Sequence, residues 1–433
     1  MTGKGSDIMF FGEKILEYKE DILKDLDELI RIKSVSANDK ESASNALKWI
    51  LSRAEGMGFK TKNIQGIAGH AEYGEGEELA GVLAHVDVVP AGDGWSTEPY
   101  ALTEKDGRLY GRGIVDDKGP AIIALYCLKA MKDNCIVPNR RIRVIFGAGE
   151  EIGMNDMETY FESEEMPDMA FTPDSEYGIC NCEKGILQIE ISSENSEDIY
   201  LKRFHAGSAV NAVPSSAEAF VDREFNAVGR ASHGSTPELG VNAAANLIKT
   251  LADIYGYPSL GKLCEFLGKE IGSETDGNTL GIACEDEQSG RLTVNLGKID
   301  IDENVSHAFI DIRYPVTVDF TEILKKIGAK ASPYLLKVGV YNHEMPLRVS
   351  EDMPVIDILK KSYKTVTGEE AKIYSTGGGT YARTLRNKGV AFGPVFEGDT
   401  SNIHDVDESM DKENFFKHAQ ICLEAMYGFA ELK

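Results

Sequence analysis

The stretch Gly81-Val-Leu-Ala-His-Val-Asp-Val-Val89 decides the fold class of this chain. It is almost continuously apolar, which is typical of a strand that other elements cover on both faces, as in a parallel sheet. Residues 119–132 follow with a helical pattern, and residues 141–146 have the pattern of a second buried strand. Because strands that alternate with helices form parallel layers, the sequence predicts an α/β fold with a mostly parallel sheet.

The pattern changes from residue 185 onward. Short runs of alternating apolar and polar residues, such as residues 185–192, are typical of antiparallel strands and are mixed with helical stretches. The α/β pattern returns towards the C-terminus. We therefore predict a discontinuous α/β domain, residues 1–184 plus 374–433, and an inserted α+β domain, residues 185–373.

Composition excludes several classes of partner. The 433 residues include 46 Lys and Arg against 71 Asp and Glu, a formal net charge of −25. Nucleic acids and anionic membranes are bound through basic patches, so we expect neither as a partner. No apolar run approaches the roughly 20 residues of a membrane-spanning helix. Seven cysteines are few and odd in number, which favours a reducing compartment, and we expect a cytoplasmic protein without a signal peptide.

Acidic and imidazole side chains follow the predicted strands where those strands end. Four segments carry them, at His85 and Asp87, Asp116 and Asp117, Glu150 and Glu151, and Asp174. In an open α/β sheet, ligands bind at the carboxyl ends of the strands. Carboxylates gathered there would repel one another without cations, and imidazole with carboxylate suits zinc. A second histidine, His404, lies in the C-terminal α/β segment.

Each of these segments has a simpler explanation when taken alone. Adjacent glutamates often begin a solvated helix, where acidic side chains suit the helix dipole. The pair Asp116-Asp117 has the composition of a helix cap, and Pro173-Asp174 that of a turn. Their joint placement at successive strand ends favours a metal site.

The same residues lie within a set of longer motifs, which recur in order along the chain. These are Leu83-Ala-His-Val-Asp-Val-Val-Pro-Ala-Gly92, Asp106-Gly-Arg-Leu-Tyr-Gly-Arg-Gly-Ile-Val-Asp-Asp-Lys-Gly-Pro120, Gly149-Glu-Glu-Ile-Gly153, Thr172-Pro-Asp174, Ser232-His-Gly-Ser-Thr-Pro-Glu-Leu-Gly240, Arg313-Tyr-Pro315, Thr376-Gly-Gly-Gly-Thr-Tyr381 and Ile403-His404. With them the sequence resembles the dinuclear zinc metallopeptidases of the aminoacylase and carboxypeptidase G type (peptidase clan MH). Within these it is most similar to the bacterial dipeptidase V (PepV-like) branch.

The resemblance implies two Zn²⁺ ions per chain, with Mn²⁺ or Co²⁺ as substitutes. The ligands it implies are a bridging Asp116, then His85 and Asp174 at one ion, and Glu151 and His404 at the other. Asp117 would be structural, although its adjacency to Asp116 leaves an exchange of roles open.

The resemblance also implies the catalytic roles. Glu150 would be the general base, which takes a proton from a metal-bridging water and returns it to the leaving amine. Asp87 would orient the imidazole of His85 and raise its basicity. This assignment accounts for two adjacent glutamates, since one binds metal and its neighbour transfers protons.

The inserted domain would be a lid that supplies substrate contacts. His233 resembles the histidine that stabilises the tetrahedral oxyanion, and Arg313 resembles the arginine that binds the terminal carboxylate of the substrate. Asn211 is a third candidate, on a looser match. Taken alone, His233 would be an ordinary surface histidine and Arg313 a partner in a salt bridge.

The resemblance therefore predicts a dipeptidase with a zinc-binding catalytic domain and a lid domain. A deacylase or desuccinylase of N-acyl amino acids is the nearest alternative, because it uses the same dinuclear chemistry on another amide. A non-catalytic metal-binding protein is a second alternative, which the presence of Glu150 disfavours. A serine hydrolase using Ser232 lacks a Gly-x-Ser-x-Gly motif. The enlarged lid is compatible with a monomer, and a homodimer stays open.

Overall fold

The structure is a computed structural model that describes residues 10–193 and 200–432. The chain divides into two compact units. Unit 1 comprises Met1–Asn181, Val349–Tyr374 and Gly379–Lys433, and unit 2 comprises Cys182–Arg348 and Ser375–Gly378. The discontinuous organisation resembles the sequence-based division, but residues 349–373 group with unit 1 rather than with the insertion.

The α-helices of the described residues alternate with strands in unit 1 and are fewer in unit 2. They are α1 Lys19–Ile30, α2 Lys40–Gly56, α3 Lys118–Asp133, α4 Asn155–Ser163, α5 Ala243–Tyr255, α6 Lys262–Phe266, α7 Phe320–Ala331, α8 Pro354–Thr367 and α9 Lys412–Glu431. Short 3-10 helices include Phe11–Tyr18, Glu150–Ile152 and Tyr381–Leu385. None of the helices described has the length and apolar character needed to cross a membrane.

The strands are mostly short. In chain order they are β1 Lys60–Ile64, β2 Ala68–Tyr73, β3 Leu79–His85, β4 Thr103–Lys105, β5 Arg108–Tyr110, β6 Arg141–Gly147, β7 Met169–Thr172, β8 Ser175–Glu176, β9 Ile179–Glu183, β10 Gly185–Ser192, β11 Arg203–Ala206, β12 Ser216–Phe220, β13 Glu224–Val228, β14 Glu285–Asp286, β15 Gly290–Arg291, β16 Thr293–Ile301, β17 Ser306–Tyr314, β18 Lys337–Glu344, β19 Leu347–Arg348, β20 Ile373–Thr376, β21 Gly389–Ala391, β22 Pro394–Val395 and β23 Ser409–Asp411.

The main sheet of unit 1 is built around β3. Its strands lie in the order β1-β2-β6-β3-β7-β21-β9, and β3 is parallel to both of its neighbours, β6 and β7. Strand β21 is parallel to β7, whereas the β2–β6 and β21–β9 pairs are antiparallel. Every residue of β3 is buried, as its continuous apolar run predicts. The prediction of an α/β fold with a mostly parallel sheet is confirmed.

Helices cover this sheet and bury its apolar side chains. Thirteen residues of α3 are buried, and α3 packs against β3, α1 and α9. Helix α8 packs against α9 through a face that buries Val355, Ile356 and Leu359. That apolar contact is the physical reason why residues 354–367 belong to unit 1 rather than to the insertion.

Unit 2 is an antiparallel α+β unit. Its seven-stranded sheet has the order β13-β12-β11-β16-β17-β10-β18, and every pairing in it is antiparallel. Strand β10 alternates between buried and half-buried residues, as expected for a strand with one face on a core. That core includes Leu187 and Ile189 of β10, Leu247 and Ile248 of α5, and Ile323 of α7.

Candidate metal centre

Three parallel strands deliver the candidate ligands to one edge of the unit 1 sheet. His85 is the last residue of β3, the 3-10 helix that carries Glu151 follows the end of β6, and Asp174 follows the end of β7. The parallel order β6-β3-β7 aligns these carboxyl ends, so side chains far apart in sequence meet there. Asp116 lies immediately before Asp117, the N-cap residue of α3.

His85, Asp116 and Asp174 form the first group of candidate ligands. The Nε2 atom of His85 lies 2.8 Å from Oδ1 of Asp116 and 3.9 Å from Oδ2 of Asp174. One ligand atom from each of the three residues lies within 4.8 Å of the others. This is the His-Asp-Asp set that the family resemblance implies for one ion.

Asp116, Glu151 and His404 form the second group. The Nε2 atom of His404 lies 2.9 Å from Oδ2 of Asp116 and 3.3 Å from Oε1 of Glu151, and the three ligand atoms again lie within 4.8 Å of one another. Asp116 therefore offers one carboxylate oxygen to each group. The structure brings together all five predicted ligands, with Asp116 in the shared position.

The donor atoms of this centre fit a cation. Among the described residues, His85 Nε2, Asp116 Oδ1 and Glu151 Oε1 are buried atoms with no hydrogen-bond partner. Buried polar atoms in folded proteins are nearly always hydrogen-bonded, and each one left unsatisfied costs about 1–3 kcal/mol. Imidazole nitrogen and carboxylate oxygen are ligands of zinc, so a bound cation would satisfy these atoms.

The protonation equilibria of the centre also indicate a cation. Burial, followed by the nearby charge of Asp116, raises the pKa of Asp174 to about 7 and raises that of Glu151. Burial raises the pKa of Glu150 well above its ordinary value. Asp116 is the opposite case: burial alone would raise its pKa, but the imidazole groups of His404 and His85 beside its carboxylate lower it below the ordinary value. Carboxylates this crowded favour positive charge among them.

Asp87 lies beneath the turn that carries the two glutamates. Its side chain is fully buried, and its two oxygens accept hydrogen bonds from the backbone N–H groups of Glu150, at 3.2 Å, and Glu151, at 3.3 Å. The Nδ1 atom of His85 lies 2.9 Å from the backbone carbonyl oxygen of Asp87 and 3.5 Å from its carboxylate. Asp87 therefore contacts His85 through its backbone and the glutamates through its side chain.

Asp117 is fully buried and contacts the backbone of the site. Its Oδ2 atom accepts a hydrogen bond of 3.1 Å from the backbone N–H of His85. Asp116, and not Asp117, is the member of this pair that lies in both groups of candidate ligands.

A second buried carboxylate near the glutamates has no signal in the sequence analysis. Asp156 accepts hydrogen bonds from the backbone N–H of Gly149, at 2.9 Å, and from the hydroxyl of Tyr381. The ring of Tyr381 packs edge-on against that of His85, with 6.1 Å between centroids. Gly147 makes room for this contact, since a Cβ atom there would lie 1.9 Å from the Tyr381 hydroxyl oxygen. Tyr381 ends one of the sequence motifs, but none of those motifs contains Asp156.

The three predicted substrate-binding residues lie close together within unit 2. The backbone carbonyl of Asn211 accepts a 2.7 Å hydrogen bond from Gly234, next to His233, and Nδ1 of His233 lies 2.7 Å from the hydroxyl of Ser235. A Cβ atom on Gly234 would lie 2.6 Å from Oδ2 of Asp311, the residue that pairs with Arg313.

Arg313 is buried and already engaged. Its Nε and Nη2 atoms donate to the two carboxylate oxygens of Asp311, both at 2.8 Å, and Nη1 donates to the carbonyl of Gly377 at 2.9 Å. A guanidinium group has five N–H donors, and these bonds use three of them.

Comparisons with known proteins agree with this architecture. The family Peptidase family M20/M25/M40 matches residues 81–427. A protein of Bacillus subtilis (strain 168) named "Putative dipeptidase YtjP" is 34% identical, covering 96% of this chain and 99% of that protein. One of Staphylococcus saprophyticus, "Putative dipeptidase SSP1012", is 33% identical, with 96% and 98% covered.

Solved structures share the fold at low sequence identity. The di-peptidase Dug1p from Saccharomyces cerevisiae has a TM-score of 0.66 at 15% identity, with 98% of both chains covered. Human carnosine dipeptidase 1 has a TM-score of 0.65 at 16% identity, again with 98% of both chains covered. The family match spans most of the chain, and the bacterial relatives are similar along nearly its whole length. This protein is therefore a hydrolase that belongs to peptidase family M20/M25/M40.

Proposed function

We propose that this hydrolase is a dinuclear zinc dipeptidase, in which His85, Asp116 and Asp174 hold one ion and Asp116, Glu151 and His404 hold the other. The observation that carries the proposal is the position of Asp116, whose two oxygens face two separate groups of ligand atoms. A carboxylate shared in this way is suited to bridge two cations.

The two ions, when bound, would lower the pKa of the attacking water and polarise the scissile carbonyl. Glu150 moves the proton. Its carboxylate takes a proton from the water and delivers it to the nitrogen of the leaving amine, because its neighbour Glu151 is committed to the metal. The hydrogen bonds from Glu150 and Glu151 to Asp87 fix the backbone of this turn, so Asp87 positions both glutamates.

Unit 2 supplies the contacts that select the substrate. In this proposal Arg313 binds the C-terminal carboxylate of the dipeptide, with its guanidinium oriented by Asp311. His233 stabilises the developing oxyanion, and Asn211 contacts the peptide. Two relatives above 30% identity carry dipeptidase names, which supports dipeptides over N-acyl amino acids. The monomeric state, the cytoplasmic location and the dipeptidase V branch stay predictions from the sequence.

Metal content and chelator-sensitive hydrolysis test the proposal together. We expect about two zinc ions per chain in the purified protein, and hydrolysis of a panel of dipeptides that stops when a chelator is added and returns with zinc. An N-acetyl amino acid should be a poor substrate. Two bound metals with the reverse substrate preference would assign the same centre to a deacylase. The absence of both bound metal and chelator sensitivity would refute the centre itself.

Glu150→Gln tests the general base. The amide has the same shape but accepts no proton at this position, so we expect hydrolysis to be lost while both ions stay bound. Glu158→Gln is the matched control, because Glu158 is an exposed glutamate on the neighbouring helix α4. Hydrolysis that survives in the Glu150 variant would contradict the assigned role.

A further inference from the structure

A buried ion pair lies beside the candidate metal centre in unit 1. The Nη1 atom of Arg112 donates to Oε2 of Glu408 at 2.8 Å, and the two side chains are 1% and 0% exposed. Burying two charges costs several kcal/mol for each ion, which the pair and its further hydrogen bonds must offset. The further hydrogen bonds of this pair all lead to segments that carry ligands.

Glu408 holds the segment that presents Asp116. Its Oε2 atom also accepts from the backbone N–H of Gly113 at 2.9 Å, and its Oε1 atom accepts from those of Val115, at 2.9 Å, and Asp116, at 3.2 Å. Three backbone donors and one guanidinium donor therefore converge on one carboxylate. Because one of these donors is the N–H of Asp116 itself, Glu408 fixes the backbone position of the shared ligand.

Arg112 connects two other segments of the site. Its Nη2 atom donates to the backbone carbonyls of Pro90, at 3.2 Å, and Asp405, at 3.0 Å. Pro90 lies five residues after His85, and Asp405 directly follows His404. The guanidinium thus joins the chain that leaves β3 to the loop that carries His404.

We infer that Arg112 and Glu408 are positioning residues that set the metal affinity of the Asp116–Glu151–His404 group. This inference rests on the proposed function. The pair contacts the segment that leads into Asp116, including the N–H of Asp116 itself, and the carbonyl of the residue after His404, so it holds two of the three ligands of that group. His404 depends on this support, because its side chain is 53% exposed and it lies outside the helices and strands.

The other group of ligands has separate support. His85 ends a buried strand, its backbone N–H bonds to Asp117, and its Nδ1 lies 2.9 Å from the carbonyl of Asp87. Asp174 follows β7, which is paired on both sides. Because both groups share Asp116, loss of the Arg112–Glu408 pair affects both, but only the Asp116–Glu151–His404 group also loses the support beside His404. Its binding step should therefore weaken much more than the other.

Arg112→Lys and Glu408→Gln are the test variants. Lysine keeps the charge but lacks the planar guanidinium group, whose several N–H donors reach Glu408 and the two carbonyls together. Glutamine has the shape of glutamate but turns one acceptor into a donor that faces backbone N–H groups. Arg143→Lys is the matched control, because Arg143 is a 5% exposed arginine of unit 1 that bonds Glu72, Glu164 and Tyr160.

The measurement is a zinc titration of each purified protein against a competing chelator, with the absorption spectrum of the Co²⁺-substituted protein as a second readout. We expect one of the two binding steps to weaken about 10- to 100-fold in both test variants, and the other step to change little. The Co²⁺ spectrum should lose the contribution of one site. The Arg143 variant should keep both steps even where it unfolds more easily.

Unchanged binding steps in the test variants, or equal weakening of both steps, would overturn the inference. The same loss in the Arg143 variant would also overturn it, since the effect would then follow from general destabilisation. If Glu408→Gln does not fold, the titration of Arg112→Lys decides. A wild-type protein that binds no zinc would refute the proposed function instead, so the two failures are distinguishable.

Discussion

Oδ1 of Asp87 accepts a 3.2 Å hydrogen bond from the backbone N–H of Glu150. The carboxylate of Asp87 thereby fixes the backbone of the residue that is proposed to transfer protons. Its other oxygen binds the next N–H along the chain, so the two bonds define the orientation of the whole turn.

Asp87→Asn should therefore lower kcat for dipeptides by about 10- to 100-fold and leave KM nearly unchanged. The amide group offers only one acceptor to two backbone donors, so the turn shifts. Steady-state kinetics measure both constants. Asp25→Asn is the control, because Asp25 is equally buried and pairs with Arg53 away from the site. A loss of kcat in both variants would show that burial, and not position, is responsible.

Tyr381→Phe should lower stability by about 1–3 kcal/mol, since a buried carboxylate loses a hydroxyl donor. It should also lower kcat about tenfold, because the carboxylate of Asp156 holds Gly149 next to the general base. Tyr126→Phe is matched to it, since Tyr126 donates to the buried Asp25 at 2.6 Å. Denaturant unfolding should show similar losses in both variants, and kinetics should separate them. Equal kcat values in the Tyr381→Phe and Tyr126→Phe variants would refute a positioning role for Tyr381.

Acid should destabilise the protein partly through His418. Burial lowers the pKa of this fully buried histidine to about 3, and its Nδ1 lies 2.7 Å from the hydroxyl of Tyr177. An unfolded histidine takes up a proton near pH 6.5, whereas the folded one stays neutral until about pH 3. The free energy of unfolding should therefore fall with falling pH across this window, by about 1.4 kcal/mol per pH unit for this group.

His418→Asn should reduce that slope by the same amount, because asparagine does not titrate. Denaturant unfolding between pH 4.5 and 6.5, with a chelator present so that metal loss adds nothing, gives the comparison. The variant will be less stable at neutral pH, since the smaller side chain leaves space. Identical slopes in the two proteins would assign the acid sensitivity to other groups.

Arg313→Lys should raise KM about 10- to 100-fold for substrates with a free C-terminal carboxylate, since lysine lacks the bidentate geometry. A dipeptide amide, which lacks that charge, should be affected much less. The ratio of the two KM values within one variant corrects for any change in folding that follows from leaving Asp311 without its partner. An unchanged ratio would remove Arg313 from carboxylate binding.

The sequence predicts the sheet and its edge well because the signals are local. The continuous apolar run of β3 and the acids at its end are visible in one short window. Strand β1 is different, because most of its residues are exposed, so it has no apolar pattern to distinguish it. The boundary at residue 349 depends on the packing of α8 against α9, which is a long-range contact.

Asp156 and Glu408 could not be predicted for a related reason. The partners of Asp156 are the backbone N–H groups of Gly149 and Met157 and the hydroxyl of Tyr381, which is 225 residues away. Three of the four partners of Glu408 are backbone N–H groups nearly 300 residues away. Every residue type except proline has the same backbone N–H donor. The sequence of the segment that supplies these donors therefore does not indicate which carboxylate binds it.

The placement of β21 has a consequence for how the chain assembles on the ribosome. Strand β21 pairs with both β7 and β9, and it is made only after the whole of Cys182–Arg348 has been synthesised. Until then one edge of β7 lacks its native neighbour, whereas unit 2 is almost complete as a continuous segment. We therefore expect unit 2 to fold first, and His404 to reach its two partners, Asp116 and Glu151, only after unit 2 has been synthesised.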